Sequence, residues 1–197
     1  MGPFPHDAPR ATITDKNPAG TDGFEFVEFA HEDAATLEAL FTRMGYVPVA
    51  KHKTKNITVW RQGDINYILN AEPGSHAMKF VQKHGPCAPS MAWRVVDAKH
   101  AFDHAVSKGA EAYVGNDKTL DVPAIVGIGG SIIYFIDTYD ETGSAYDAEF
   151  DWLGDRDPKP EGVGFYYLDH LTHNVYRGNM DKWWDFYRDL FGFTQIH

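Results

Sequence analysis

Between Phe24 and Phe29 the chain reads FEFVEF, apolar and acidic residues in alternation, which predicts a strand with one wet face. Leu37, Leu40, Phe41 and Met44 follow at helical spacing (i, i+3, i+4, i+7), so a helix begins at Asp33 and ends at Gly45, its C′ residue. Three further strands are predicted in YVPVAKHK, NITVWRQ and INYILN, with QGD as the turn between the last two. A connection over residues 71–90 holds a short helix through HAMKFVQKHG. The pattern then restarts. MAWRVV predicts a strand, Asp97 caps a helix carrying Phe102, Ala105 and Val106 that ends at Gly109, and strands are expected in EAYV, AIVGI and SIIYFID. It starts a third time with a strand in FYYLDHL and a helix through DKWWDFYRDLFG, after which FTQIH reads as the start of another strand.

Strand, helix and then a glycine-led turn (MGY, KGAE, FGF) therefore occur three times. The first two cycles each continue into three strands. A βαβββ unit cannot cover its own sheet, so such units pair. The expected fold class is α+β, built of paired βαβββ units. Residues 1–22, rich in Pro, Gly and Asp, are expected to be a flexible N-terminal arm. Residues 23–150 should form a domain of two units, 151–162 (with DRDPKPEG) a linker, and 163–197 the truncated start of a second domain whose partner unit is missing.

Composition narrows the class. The chain has 197 residues, 43% hydrophobic and 14% aromatic, as in ordinary globular proteins. A formal charge of -10 argues against nucleic acid and anionic membrane as partners, because both select basic surface. The single Cys87 excludes an internal disulfide framework and fits a cytoplasmic location. The first 23 residues lack the apolar core of a secretory signal, and His6 stands where N-myristoylation wants Ser or Thr. IVGIGGSIIYFI is too short and glycine-broken to span a bilayer.

Chemistry is concentrated in LDHLTHNVYRG, Leu168 to Gly178. On a strand, Asp169 and His170 would point to opposite faces, and the odd offset to His173 would separate the two histidines as well. One ligand from this strand is then expected. Several other patterns read as structure. His100 and His104 in HAFDH stand at i and i+4 but lack the glutamate of a zinc motif, and are expected on a solvated helix face. VGIGGS precedes a strand, not a helix, and is expected to be a hairpin turn. The aromatic run DKWWDFYRDLF is expected to pack as an amphipathic helix.

FEFVEFA, KNITVWRQGDINYILN, MAWRVVDA, DVPAIVGIGG and DHLTHNVYRG, in that order from about residue 23, resemble the 4-hydroxyphenylpyruvate dioxygenases of the vicinal oxygen chelate superfamily. The resemblance implies an Fe(II) enzyme of tyrosine catabolism that takes a small aromatic 2-oxo acid and O2 to homogentisate and CO2, assembled as a dimer or tetramer. It implies His170 as the first of three iron ligands, the other histidine and the glutamate lying beyond residue 197, and Thr172 as a substrate contact. It also implies that the 197-residue chain alone is inactive. In the first domain, Phe29, Ser90 and Tyr134 are expected at the ligand-equivalent places, a set that does not suit iron. Two alternatives stay open: a hydroxymandelate synthase, which shares fold, iron and substrate, and a metal-free binding or scaffold module of the same fold.

Overall fold

The computed structural model describes residues 9–196. The first unit is β1 (Thr21–Ala30), α1 (Ala34–Arg43), β2 (Val47–His52), β3 (Ile57–Gln62) and β4 (Ile65–Asn70). Helix α2 (His76–His84) leads to the second unit: β5 (Cys87–Val95), α3 (Ala98–Ser107), β6 (Ala124–Val126) and β7 (Ile132–Ile136). Strand β8 (Phe150–Trp152) and helix α4 (Met180–Phe191) complete the set. All eight strands form one sheet, in the order β6-β7-β5-β1-β4-β3-β2-β8.

The topology repeats. The opening strands of the two units, β1 and β5, meet antiparallel at the centre, with Phe26 opposite Ala92 and Glu28 opposite Ser90. Each then pairs in parallel with a later strand of its own unit, β1 with β4 and β5 with β7. Such a parallel neighbour requires a crossover, and α1 and α3 supply it. Phe26, Ala50, Ile57, Val59, Ile68, Ala92, Ala124, Tyr134 and Phe150 gather in a single inner core, so every strand contributes to it. Phe29 points the other way and packs outside with Phe41, Trp60 and Leu37 of α1.

Local signals place the elements. Asp33 caps α1 by accepting from Ala35 N at 3.2 Å, and Asp97 caps α3 by accepting from His100 N at 2.8 Å. Gly45 and Gly109 follow these helices at φ +85° and +94°, conformations that cost a side chain strain. The VGIGGS stretch turns between antiparallel β6 and β7, as its position before a strand requires.

Several expectations fail. FYYLDHL is not a strand, and residues 193–196 form none either; a strand exists only with a hydrogen-bonded neighbour, and neither run has one among the described residues. The stretch EAYV contributes only an isolated bridge, Ala112 to Ile125, so the second unit carries two regular strands after its helix. Within the 151–162 linker, residues 151 and 152 belong to β8, which pairs antiparallel with β2. The arm is not free where it is described. Thr14 and Asn17 bridge, Asn17 exchanges side-chain hydrogen bonds with Thr21, and Ala19 is fully buried. Residues 1–8 lie outside the described residues. Among those described, no helix is long and apolar enough to cross a membrane.

Candidate functional site

His170 stands at the mouth of a groove of about 860 Å³ between the centre of the sheet and α4. Helix α4 makes one wall, and its position follows from its last turn: Leu190 and Phe191 are buried beside Trp93, Phe135, Ala101 and Ala105. Gly192 closes the helix in the left-handed region at φ +71°. Trp93 is the hub, stacked on Phe24 with ring centres 4.5 Å apart and touching Phe191 and Phe193 at 5.9 and 5.5 Å. Trp183, Trp184 and Tyr187 face the same space. The aromatic run of α4 thus packs at one end, as expected, but presents the rest of its face to the groove.

The His170 imidazole is largely exposed, and its Nδ1 shares a hydrogen bond of 2.7 Å with Asp169 Oδ2. That contact corrects the opposite-faces argument. Without a strand there is no alternation, so the Asp169 and His170 side chains touch, and both line the groove together with His173. His173 sits edge-on to Tyr187 at 5.7 Å, and desolvation on that side lowers its pKa. Thr172 is exposed and does not line the groove. With Nδ1 engaged, His170 keeps Nε2 free as a donor atom, the arrangement that orients metal-binding histidines. Among the described residues, no three His, Cys, Asp or Glu side chains converge as a metal site.

Inside the sheet, the ligand-equivalent trio also needs correction. Ser90 and Tyr134 do face one space, but Phe29 does not; Glu28 does, because alternation along β1 sends Phe29 to the helix side. Laid residue for residue on YYLDHL, FEFVEF puts Glu28, not Phe29, against His170. Glu28 is 1% exposed and accepts hydrogen bonds from Asn70 Nδ2 at 2.8 Å, from Ser90 Oγ and from Thr119 Oγ1. Thr119 N in turn donates to the Tyr134 hydroxyl at 3.0 Å, and burial pushes that phenol's pKa well up. The carboxylate is thus saturated by donors of its own chain.

The face of β1 predicted to be wet is therefore dry, since Glu25 is also buried. It pairs with Arg94, Nε to Oε2 at 2.6 Å, and accepts from Asn66 Nδ2 at 3.1 Å. A signal for both carboxylates was present: Asn66 and Asn70 in INYILN and Arg94 in MAWRVV are polar residues in otherwise apolar strands. Of the HAFDH pair, His100 is exposed as expected and His104 is partly buried. His100 Nε2 meets Pro18 O at 2.8 Å, and His104 faces the backbone of Asp189 and Leu190 at the end of α4.

Residues 15–151 match the family described as hydroxyphenylpyruvate dioxygenase, HPPD, N-terminal. The chain is 46% identical over 188 residues to hemolysin VllY of Vibrio vulnificus, covering 91% of this chain and 52% of that one. It is 45% identical over 192 residues to the 4-hydroxyphenylpyruvate dioxygenase of Pseudomonas aeruginosa, covering 94% and 53%. Among solved structures, a xylose isomerase-like TIM barrel/4-hydroxyphenylpyruvate dioxygenase fusion protein superposes with a TM-score of 0.80 at 30% identity, over 94% of this chain and 29% of that one. The chain spans about half the length of the curated relatives it matches. It belongs to the hydroxyphenylpyruvate dioxygenase family, whose N-terminal part residues 15–151 match.

Proposed function

We propose that this chain is part of an Fe(II)-dependent dioxygenase that converts 4-hydroxyphenylpyruvate and O2 to homogentisate and CO2. The observation that carries the reading is His170, presented at the mouth of an aromatic groove with Nδ1 tied to Asp169 and Nε2 free. In this reading Nε2 holds the metal, while the Asp169 carboxylate fixes the ring and its tautomer and raises its basicity. The two further ligands, a histidine and a glutamate by family resemblance, belong to the half of the relatives that this chain does not span. Iron, when bound, supplies the redox centre and the open positions that a chelating 2-oxo acid and O2 require. The chain's own contribution besides His170 is a wall. Trp183, Trp184 and Tyr187 keep water from one side of the metal ligand, and Phe24 and Trp93 tie that wall to the sheet. The domain of residues 23–150 serves as a scaffold without iron, Glu28 being occupied by Ser90, Asn70 and Thr119. The resemblance also suggests a cytoplasmic homo-oligomer.

The test uses a protein of the relatives' full length. His170→Ala should lose most iron and essentially all homogentisate formation, while His173→Ala keeps the metal. A parent protein that forms no homogentisate, or a His170→Ala variant that retains iron while His173→Ala loses it, would refute the assignment.

A further inference from the structure

The polar stretch leading from the sheet to His170 is bolted to a single hairpin. Four consecutive residues at the β3–β4 turn take part. Arg61 Nη1 donates to Asp157 Oδ1 at 2.6 Å and to Pro158 O at 3.0 Å. Gly63 N donates to Pro160 O at 2.7 Å, and Lys159 Nζ pairs with Asp64 Oδ1 at 2.8 Å. Gln62, fully buried, is the centre of the clamp. Its Nε2 donates to Met44 O at 2.9 Å, and its Oε1 accepts from Val163 N at 2.6 Å and Phe165 N at 3.1 Å. A carbonyl on one side and two amide N–H groups on the other settle which way the side-chain amide points.

Glycine permits the close approach. A Cβ on Gly162 (φ +63°) would come within 2.4 Å of the Gln62 side chain, and one on Gly45 (φ +85°) within 2.9 Å of Val163. Beyond Phe165 the chain runs without helix or strand until α4, whose Leu190 and Phe191 are sunk in the core beside Trp93. The His170 segment is therefore held at both ends, by the Gln62 clamp and by the end of α4, with Leu171 packed against the Trp93 core between them, and residues of the sheet supply the receptor for each.

We infer that Gln62 is a positioning residue: by clamping residues 163–165 it sets where His170 is presented relative to the sheet. The inference rests on the proposed function only in treating His170 as a ligand. The clamp itself can be tested in the 197-residue chain without iron or substrate. Gln62→Met keeps length and packing but removes all three side-chain hydrogen bonds. Gln62→Glu, studied in acid where the carboxyl is protonated, keeps an acceptor for the Val163 and Phe165 amides and a donor for the Met44 carbonyl. Gly162→Ala places a Cβ against the Gln62 side chain and pushes the strap off it without altering any residue of the sheet.

Two readouts are needed. Exchange of the Val163 and Phe165 amides should speed by about tenfold or more in Gln62→Met and Gly162→Ala, recover largely in Gln62→Glu, and stay unaltered in β1 and β5. Spin labels at Thr172→Cys and Lys99→Cys in a Cys87→Ser background, at sites exposed in the fold, should give a narrow distance distribution in the parent. That distribution should broaden in the two releasing variants and narrow again in Gln62→Glu. Unchanged exchange would overturn the clamp. Faster exchange with an unbroadened distribution would overturn the positioning role. Failure of a full-length protein to bind iron would sink the functional reading alone and leave both readouts standing.

Discussion

Arg94→Met should be among the costliest single changes in the sheet. The Arg94 and Glu25 side chains are 18% and 4% exposed, and their contact is 2.6 Å. Burial alone would lower the guanidinium pKa, but the Glu25 carboxylate pushes it up, so Arg94 stays charged. Removing Arg94 leaves Glu25 with one amide donor, Asn66 Nδ2 at 3.1 Å, next to the buried Tyr146. An orphaned buried charge of this kind costs about 3–5 kcal/mol. The low end applies, because Asn66 remains and a cavity of about 340 Å³ beside Arg94 lets water approach. For a chain of this size a loss of about 3 kcal/mol corresponds to a melting temperature lower by roughly 6–12 °C. Glu25→Gln in the Arg94→Met background should restore about 2 kcal/mol, since an amide needs no cation and can still accept from Asn66. Urea unfolding followed by tryptophan fluorescence measures all four members of the cycle, with constant slopes as the check on two-state behaviour. A loss below about 1 kcal/mol for Arg94→Met, or no recovery in the double variant, would refute the reasoning.

Three further outcomes are expected. His52 is buried, its Nδ1 accepts from Thr54 N at 3.1 Å and Lys55 N at 3.2 Å, and burial followed by Lys55 lowers its pKa despite Glu149. In acid the unfolded chain then binds more protons than the folded one, so this part of the stability is complete above the ordinary histidine value of about 6.5 and is lost as pH falls below it. Urea midpoints from pH 8 to 5 should drop less in His52→Gln than in the parent, and equal slopes would contradict this. Asp33→Ala, which removes the cap of α1, should cost about 1 kcal/mol by the same assay, and a neutral result would deny the cap its role. Phe191→Ala should cost about 3–5 kcal/mol and speed exchange along α4 more than in β3; uniform loss across both would mean that α4 is not separately anchored.

What could be read from the sequence was what neighbours in sequence decide. Helices α1 and α3 announce themselves through Asp33 and Asp97 and the glycines that follow. The β3–β4 hairpin announces itself through alternation on both sides of Gly63. What failed depends on partners far away. Phe150–Trp152 has no pattern of its own and is a strand only because β2, about a hundred residues earlier, offers an edge. FYYLDHL has the right residues for a strand but is paired to no strand among the described residues. The inner site was misplaced by one position, and a single step along β1 exchanges Phe29 for Glu28, an aromatic ring on a helix for a carboxylate in the core. The linker is legible as polar but its attachment is not, because nothing in DRDPKPEG specifies that the β3–β4 turn should receive it.

The contact between Gly192 and the backbone of Lys16, so close that a Cβ would lie 2.5 Å from the carbonyl, has a kinetic meaning. It joins residues roughly 175 positions apart in sequence, so the loop it closes is among the longest between described residues. Loop entropy must be lost before such a contact returns anything, which puts it late in folding, after the local pairings of β2, β3 and β4 have formed. Contacts made after the transition state chiefly slow unfolding. Loosening the junction of Lys16, Pro18 and Gly192 should therefore leave the refolding rate nearly unaltered and let α4 detach sooner, carrying the presentation of His170 with it.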